Sequence, residues 1–138
     1  MTLMQVQLDP GAFLPERAHP TDAGLDLRSP QAVWIHPGEH AVIDTGVHVA
    51  IPDGCVGLLT SRSGMMKQDI TNRGTIDAGY TGSIKAVLFN HGSEGYAVKA
   101  GDKITQLVIL PITNVALEVV EQLGETERGD AGFGSSGR

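Results

Sequence analysis

Asp77 is the side chain of this sequence best placed for chemistry. It follows the apolar Ile76 and comes shortly before Gly79 and Tyr80, so that it would lie at a bend beside a pocket. A carboxylate in such a position can act as a general base for a water molecule. The sequence contains no set of serine, histidine and cysteine residues that indicates a covalent nucleophile. The same residues would also suit an ordinary hairpin in which Asp77 and Asn72 only stabilise turns.

Three other segments carry polar groups beside apolar runs. Residues 60–64 place hydroxyl groups, an arginine and a glycine after an apolar run, a composition that suits an anion-binding nest or an ordinary polar turn. Gln106 is polar within a run that otherwise reads as buried, so it must find a partner in the backbone or in a ligand. Asp26 alternates with Leu25 and Leu27, which places it on the face opposite the core. A lone aspartate of this kind commonly bonds a neighbouring turn.

The last eleven residues, 128–138, combine glycines and serines with two arginines and one phenylalanine. They show no apolar periodicity, so they do not predict a packed element. The glycine backbone, the serine hydroxyls, Arg128 and Phe133 could instead close over a ligand that carries both a ring and phosphates. Taken alone, the composition favours a disordered tail or a linker.

The rest of the sequence predicts strands that would position these groups. Apolar and polar residues alternate in short runs, and turn signals such as Pro37-Gly38 separate them. Around ten strands at roughly ten-residue spacing are typical of an all-β sandwich or barrel. One helical turn is predicted over residues 64–68, too short for a structural helix. The apolar runs cover residues 4–8, 32–35, 41–43, 47–51, 56–59, 84–89, 104–112 and 117–120.

Composition limits the partners and the compartment. The chain has 138 residues, which suits one domain, and a formal net charge of −6. This charge argues against a nucleic-acid partner, although a small polyanion could bind if local Arg and Lys residues and a metal ion met its charge. Cys55 is the only cysteine, so no intrachain disulfide is available. With no signal-peptide pattern and no membrane-length apolar run, we expect a soluble, cytoplasmic protein.

Taken together in this order, the polar segments resemble the five motifs of one family, the homotrimeric dUTP diphosphatases (dUTPases). The resemblance covers nearly the whole chain. It implies an all-β, distorted jelly-roll barrel over residues 1–123, followed by a C-terminal arm, residues 124–138, that closes over the active site. The segments that carry the resemblance are residues 22–29, 62–64, 74–82, 101–107 and 128–137.

The resemblance also implies a reaction. Members of this family hydrolyse dUTP to dUMP and pyrophosphate with Mg²⁺, which limits uracil incorporation into DNA and supplies dUMP. They do so as homotrimers with shared active sites. By similarity, Asp77 would activate the attacking water, Tyr80 would pack under the deoxyribose, and Asn72 would read the uracil edge. The backbone of the same hairpin would take part in that reading through Gly74, Thr75 and Ile76.

The remaining roles implied by the resemblance concern the triphosphate. Arg62, Ser63, Gly64 and Gln106 would contact phosphates, and Asp26 would help to place Mg²⁺ through its water shell. In the arm, Arg128, Ser135 and Ser136 would clamp the γ-phosphate. Phe133, followed by Gly134, would stack over the uracil ring.

The sequence departs from the family pattern at three places. Ala131 stands where glycine is usual, Ser61 stands where proline is common, and residues 65–73 are shorter than in many members. Three alternatives are open. A dCTP deaminase would share the fold but needs a glutamate-type proton shuttle where this chain has Asp77-Ala78-Gly79-Tyr80. A binding module that regulates a protein partner, or a purely structural β trimer, would not need the whole set of polar segments.

Overall fold

The computed structural model describes residues 2–137 and is almost entirely built of strands. Met1 and Arg138, the first residue of the expected barrel and the last of the expected arm, lie outside the described residues. The one short helix within residues 2–137 is Ser63–Met66 (α1), and no helix there is long and apolar enough to cross a membrane. The strands are Val6–Leu8 (β1), Gly24–Arg28 (β2), Val33–Ile35 (β3), His40–Asp44 (β4), Val47–Val49 (β5), Cys55–Thr60 (β6), Ile70–Thr71 (β7), Arg73–Ile76 (β8), Lys85–Asn90 (β9), Tyr96–Val98 (β10) and Lys103–Pro111 (β11).

The strands pair in antiparallel sheets, which confirms the all-β prediction. The largest sheet has the strand order β2-β11-β6-β8, and a second has the order β4-β9-β7. Two further pairs, β1-β5 and β10-β3, complete the layers. None of these pairs joins strands that are consecutive in the sequence, as expected for a jelly roll.

Two apolar clusters fill the space between the sheets. Leu27, Leu59 and Leu107 from the four-stranded sheet pack against Val47 and Val49 of β5. The second cluster joins strands β3, β4, β9 and β10 around side chains that are almost completely buried. Because successive strand residues point to opposite faces, burying Leu27 turns Asp26 outward, as the alternation in the sequence predicts.

The segment after β11 differs from the prediction. A run at residues 117–120 was expected to form a strand, but residues 112–137 form none in this structure. The backbone N–H of Ile112 donates to the carbonyl of Gly54 at 2.8 Å, and all described residues beyond it are exposed. A strand needs a hydrogen-bonded neighbour, and the alternating Val115, Leu117 and Val119 meet none within their own chain. The expected boundary at residue 123 lies inside this exposed segment.

A polar pair lies inside the fold between β8 and β11. Asn72 is buried, and its Nδ2 donates to the carbonyl of Ile104 at 3.1 Å. The hydroxyl of the fully buried Thr105 donates to Asn72 Oδ1 at 2.6 Å. Each group therefore satisfies the other, which is the condition for placing polar atoms in a core.

We expect Asn72→Ala to lower the free energy of unfolding by about 1–3 kcal/mol, because it removes the amide donor to the Ile104 carbonyl and leaves the buried Thr105 hydroxyl with only the longer of its two acceptors, the Thr60 carbonyl at 3.2 Å. Urea denaturation at a fixed protein concentration measures this change. The matched control is Asn114→Ala, because Asn114 is exposed. Equal stability of the two variants would contradict a structural role for the Asn72 amide.

Candidate functional site

A charged cluster forms where β2, β11 and β6 lie side by side. Gln106 of β11 is in register with Asp26 on one side and with Thr60 on the other. Asp26 Oδ1 accepts a hydrogen bond from Arg62 Nε at 3.0 Å, and Asp26 Oδ2 lies 3.0 Å from Lys103 Nζ. The Asp26 side chain is only 9% exposed, so these two cations balance a carboxylate that is largely removed from water.

This cluster borders an open cavity of about 330 Å³. Asp26, Arg62, Ser63 and Gln106 line it, together with Asp22 and neighbouring residues of the same loop. Asp26 holds the arginine through Nε alone, which fixes the direction of the guanidinium. Ser63 and Gly64 are exposed beside it, so the arrangement can bind an anion with hydroxyl, backbone and guanidinium donors.

Gln106 depends on a close backbone approach by β2. Its Nε2 donates weakly to the carbonyl of Ser61 at 3.4 Å. A Cβ at Gly24 would collide with Gln106 Oε1. Glycine at position 24 therefore leaves the space that the amide of Gln106 occupies.

Asp77 lies on a different feature, the turn that follows β8. The backbone N–H of Tyr80 donates to the carbonyl of Asp77 at 3.0 Å, and both side chains are exposed. The Tyr80 hydroxyl donates to the carbonyl of Ser83 at 2.8 Å, which folds the ring back over Gly82. Asp77 is thus presented to solvent beside an aromatic ring whose position is fixed. We call residues 77–84 the catalytic turn because they include Asp77, the expected general base.

Arg62 and Asp77 lie at opposite ends of the β6–β8 ladder. Thr60 pairs with Arg73, and Gly57 pairs with Ile76, next to Asp77. At roughly 3.3 Å per strand residue, Arg62 and Asp77 are about 15–20 Å apart along the sheet. Asp77 and the anion-binding cluster therefore do not meet within one chain.

The C-terminal residues remain apart from both features. Arg128 Nε donates to the carbonyl of Ala131 at 2.6 Å, and the Phe133 ring is fully exposed. The hydrogen bonds of residues 124–137 join residues of this segment to one another. Ser135 and Ser136 are exposed as well.

Comparison with known proteins agrees with this geometry. The sequence profile of the dUTPase family matches residues 11–137. The chain belongs to the dUTPase family. It is 44% identical to the deoxyuridine 5'-triphosphate nucleotidohydrolase of Clostridium tetani (strain Massachusetts / E88), with 99% of this chain and 97% of the relative covered. It is 45% identical to the protein of the same name from Nocardia farcinica (strain IFM 10152), with 95% and 82% covered.

Solved structures of the family superpose closely. The Staphylococcus bacteriophage 80alpha dUTPase with dUPNHPP matches with a TM-score of 0.93 and 38% identity over 100% of both chains. A mutant dUTPase from phage phi11 of S. aureus, described with a structural Mg(II) ion, matches with a TM-score of 0.82 and 38% identity over 88% of this chain and 98% of that one. The distorted jelly-roll fold predicted from the motifs is therefore confirmed.

Asn72, which the dUTPase motifs predict to read the uracil edge, is buried, and its amide is bonded to Ile104 and Thr105. The Ile104 carbonyl takes one of the two Nδ2 hydrogens, and the contact of Asn72 with uracil stays a prediction. The break between β7 and β8 turns this side chain into the core. The backbone of Gly74, Thr75 and Ile76 remains on an edge strand of its sheet.

Ala131, the departure in the arm motif of this dUTPase, adopts no left-handed conformation in the structure. The non-glycine residues with positive φ among those described are Asp69, at 60°, and Phe133, at 48°. The alanine is therefore unstrained in this open conformation of the arm.

Lys103 is a functional residue that the sequence reasoning did not single out. It forms the second ion pair of Asp26, although it lies 77 positions further along the sequence. Its neighbour Arg28, in register with it, donates to Glu16 at 2.8 Å and to the carbonyl of Gly101 at 2.7 Å. The sequence signal that could have pointed to a cation beside Asp26 is the alternation of β2, which puts Asp26 and Arg28 on the same face of the strand.

We expect Gly24→Ala to weaken the binding of inorganic triphosphate about three- to tenfold, because the new methyl group displaces the Gln106 amide from the cavity. Stability should change little, since only the end of a flexible side chain must move. Isothermal calorimetry measures the affinity. Gly124→Ala, where a methyl group meets nothing within 4 Å, is the control. Unchanged affinity in Gly24→Ala would remove Gln106 from the anion site.

Proposed function

We propose how this chain, a dUTP nucleotidohydrolase by family, hydrolyses dUTP to dUMP and pyrophosphate. Asp77 acts as the general base for a water molecule that attacks the α-phosphorus. The observation that carries this role is the exposed carboxylate of Asp77 on a turn beside a fixed Tyr80 ring. Attack by water needs positioning and charge neutralisation rather than a covalent nucleophile.

The sugar and base contact the catalytic turn and β8. The ring of Tyr80 packs under the deoxyribose, where it leaves no room for a 2′-hydroxyl. The edge of uracil pairs with backbone groups of Gly74, Thr75 and Ile76, because β8 is an edge strand whose outward N–H and C=O groups have no strand partner in its sheet. Backbone recognition of this kind penalises bases that leave these groups unpaired.

The phosphates bind at the charged cluster. Arg62, Ser63, Gly64 and Gln106 supply the donors, and Asp26 keeps the guanidinium of Arg62 in place. The negative net charge of the protein does not prevent this binding, because the local cations act at short range.

Mg²⁺ suits this cluster only as an ion shared with the substrate. The described residues contain no group of three His, Cys, Asp or Glu side chains that could enclose a metal. Mg²⁺ retains several waters and commonly takes one or two carboxylates and substrate phosphates as ligands. Asp26 is therefore the residue that would hold its water shell, beside Arg62. When bound, the ion neutralises phosphate charge and fixes the geometry of the triphosphate.

Assembly of several copies completes the active site. Arg62 and Asp77 are too far apart in one chain to act on one phosphorus. The outer face of the four-stranded sheet carries Val56, Leu58, Val108 and Leu110 in two adjacent registers, an apolar patch suited to burial between subunits. We therefore propose a homotrimer in which one subunit supplies the catalytic turn and another the charged cluster.

The arm provides the last contacts. Because residues 113–137 make no strand within their own chain, they are free to extend onto another subunit. Arg128, Ser135 and Ser136 then bind the γ-phosphate, and Phe133, next to Gly134, stacks on uracil. Closure excludes water and strengthens the phosphate contacts. We place the enzyme in the cytoplasm, where Cys55 stays reduced.

We expect Mg²⁺-dependent pyrophosphate release from dUTP, with little from dCTP, UTP or dTTP. Asp77→Asn should lower kcat by at least about a hundredfold, because the amide cannot take a proton from water. Tight binding of dUTP by Asp77→Asn controls for folding. A wild-type protein that binds dUTP but releases no pyrophosphate would instead favour the binding-module alternative.

We expect mixtures of two inactive variants to regain activity. Asp77→Asn and Arg62→Gln are each denatured, mixed in equal amounts and refolded together. If one subunit supplies Asp77 and another Arg62, about a quarter of the sites contain both native residues. Separately refolded samples, mixed afterwards, are the control. Activity no higher than that of the separate variants would place both residues of each site on one chain.

A further inference from the structure

His48 connects the catalytic turn to the body of the subunit. It lies on β5, opposite Gln7 of β1. His48 Nδ1 is 2.8 Å from the carbonyl oxygen of Thr81, in the catalytic turn, and His48 Nε2 is 3.0 Å from Asp9 Oδ1. The ring thus bridges the end of β1 and the residue next to Tyr80.

Both partners of this ring are hydrogen-bond acceptors. A carbonyl oxygen and an ionised carboxylate cannot donate, so satisfying both requires an N–H on each ring nitrogen. A neutral imidazole has one N–H and can keep only one of the two bonds. Both hydrogen bonds of the ring can therefore form only when His48 is an imidazolium.

Apart from the His48 contact, the bonds that hold the turn on neighbouring strands lie at its end. Lys85 Nζ donates to Ser83 Oγ at 3.2 Å, and the Thr45 hydroxyl donates to the Ile84 carbonyl at 2.6 Å. The backbone N–H of Ile84 donates to the carbonyl of Val47 at 2.8 Å, which fixes the end of the turn on β5. The Tyr80 hydroxyl binds Ser83, which fixes the ring relative to the turn itself. The middle of the turn is held on the body at Thr81 by His48.

We propose that His48 is a positioning residue, an imidazolium brace that holds the catalytic turn, and with it Asp77 and Tyr80, in the geometry needed for hydrolysis. This inference rests on the role proposed above for Asp77. His48 touches neither substrate nor water in this mechanism. It acts by restricting the turn, so its loss lowers kcat more than it raises KM.

The charges around His48 support the cationic form. The Thr81 carbonyl first, and then the Asp9 carboxylate, hold the pKa of His48 above its ordinary value of 6.5. Asp44, at the end of β4, adds a weaker attraction, and Lys85 of β9 lies beside Asp44. The ring borders an open cavity of about 460 Å³ whose other lining residues are neutral, so it exchanges protons with solvent.

The sign of the pH dependence follows from the raised pKa. The brace is complete below the unfolded-state value near 6.5 and is lost as the pH rises through the higher pKa of the folded protein. A glutamine at position 48 has one donor group to offer Thr81, as neutral imidazole does. The wild type and His48→Gln should therefore converge at high pH.

The test compares kcat and KM for dUTP between pH 6 and pH 9 in the wild type, His48→Gln, Asp9→Asn and the control His40→Gln. We expect kcat of the wild type to exceed that of His48→Gln about three- to tenfold at the acidic end, and the ratio to approach one at the alkaline end. In Asp9→Asn, kcat should approach that of His48→Gln at a lower pH than it does in the wild type. His40→Gln, on the other sheet, should match the wild type throughout. A ratio that stays constant with pH would overturn the proposal.

Two measurements separate the brace from the role of Asp77. NMR titration of the His48 ring should give a pKa above 6.5, and a value at or below it would overturn the proposal. Amide hydrogen exchange near pH 6.5 should be faster in His48→Gln than in the wild type at Tyr80, whose N–H donates to the Asp77 carbonyl within the turn. If Asp77→Asn retains activity while this exchange difference is present, the role of Asp77 fails and the brace stands; equal exchange rates overturn the brace.

Discussion

The length of the β6–β8 ladder is the constraint on which the rest of the molecule depends. The ladder fixes Ser61 and Arg62 at one end and Asp77 at the other, with Thr60 opposite Arg73 and Gly57 opposite Ile76. A paired strand cannot shorten, so no local rearrangement brings the two ends together. The proposed mechanism therefore requires groups from more than one copy, and the exposed apolar patch and the extended C-terminal segment are consistent with that requirement.

The fold was largely predictable because alternation survives in strands that cover a core on one side. Residues 41–43 and 84–89, for example, became β4 and β9 with nearly the same bounds. Residues 117–120 show the same alternation but form no strand. Alternation indicates that one side of a segment is apolar, but it does not identify the neighbouring strand that would supply the hydrogen bonds. The strand β10 was not among the predicted runs, although it is as long as β3 and β5, which were.

The site was predictable in its residue types and less so in their directions. Asp26 was expected on the outer face and lies there, since strand alternation decides it. The burial of Asn72 against Ile104 was not predicted, because Asn72 lies at the break between β7 and β8, where alternation gives no direction. Lys103 joins Asp26 only through the register of β11 on β2, which no local pattern contains.

In the proposed trimer, a site divided between subunits places different requirements on its two halves. The charged cluster lies on a four-stranded sheet, and its carboxylate and cations hold one another in place without a ligand. The catalytic turn has no such sheet around Asp77 and must be fixed by side chains of its own subunit. The His48 bond to Thr81 and the Ile84 N–H bond to Val47 hold the turn on the body of the subunit, and the Tyr80 bond to Ser83 fixes the ring within the turn. The base and the phosphate donors can thus be rigid separately, so that assembly and arm closure need only bring together two preformed surfaces.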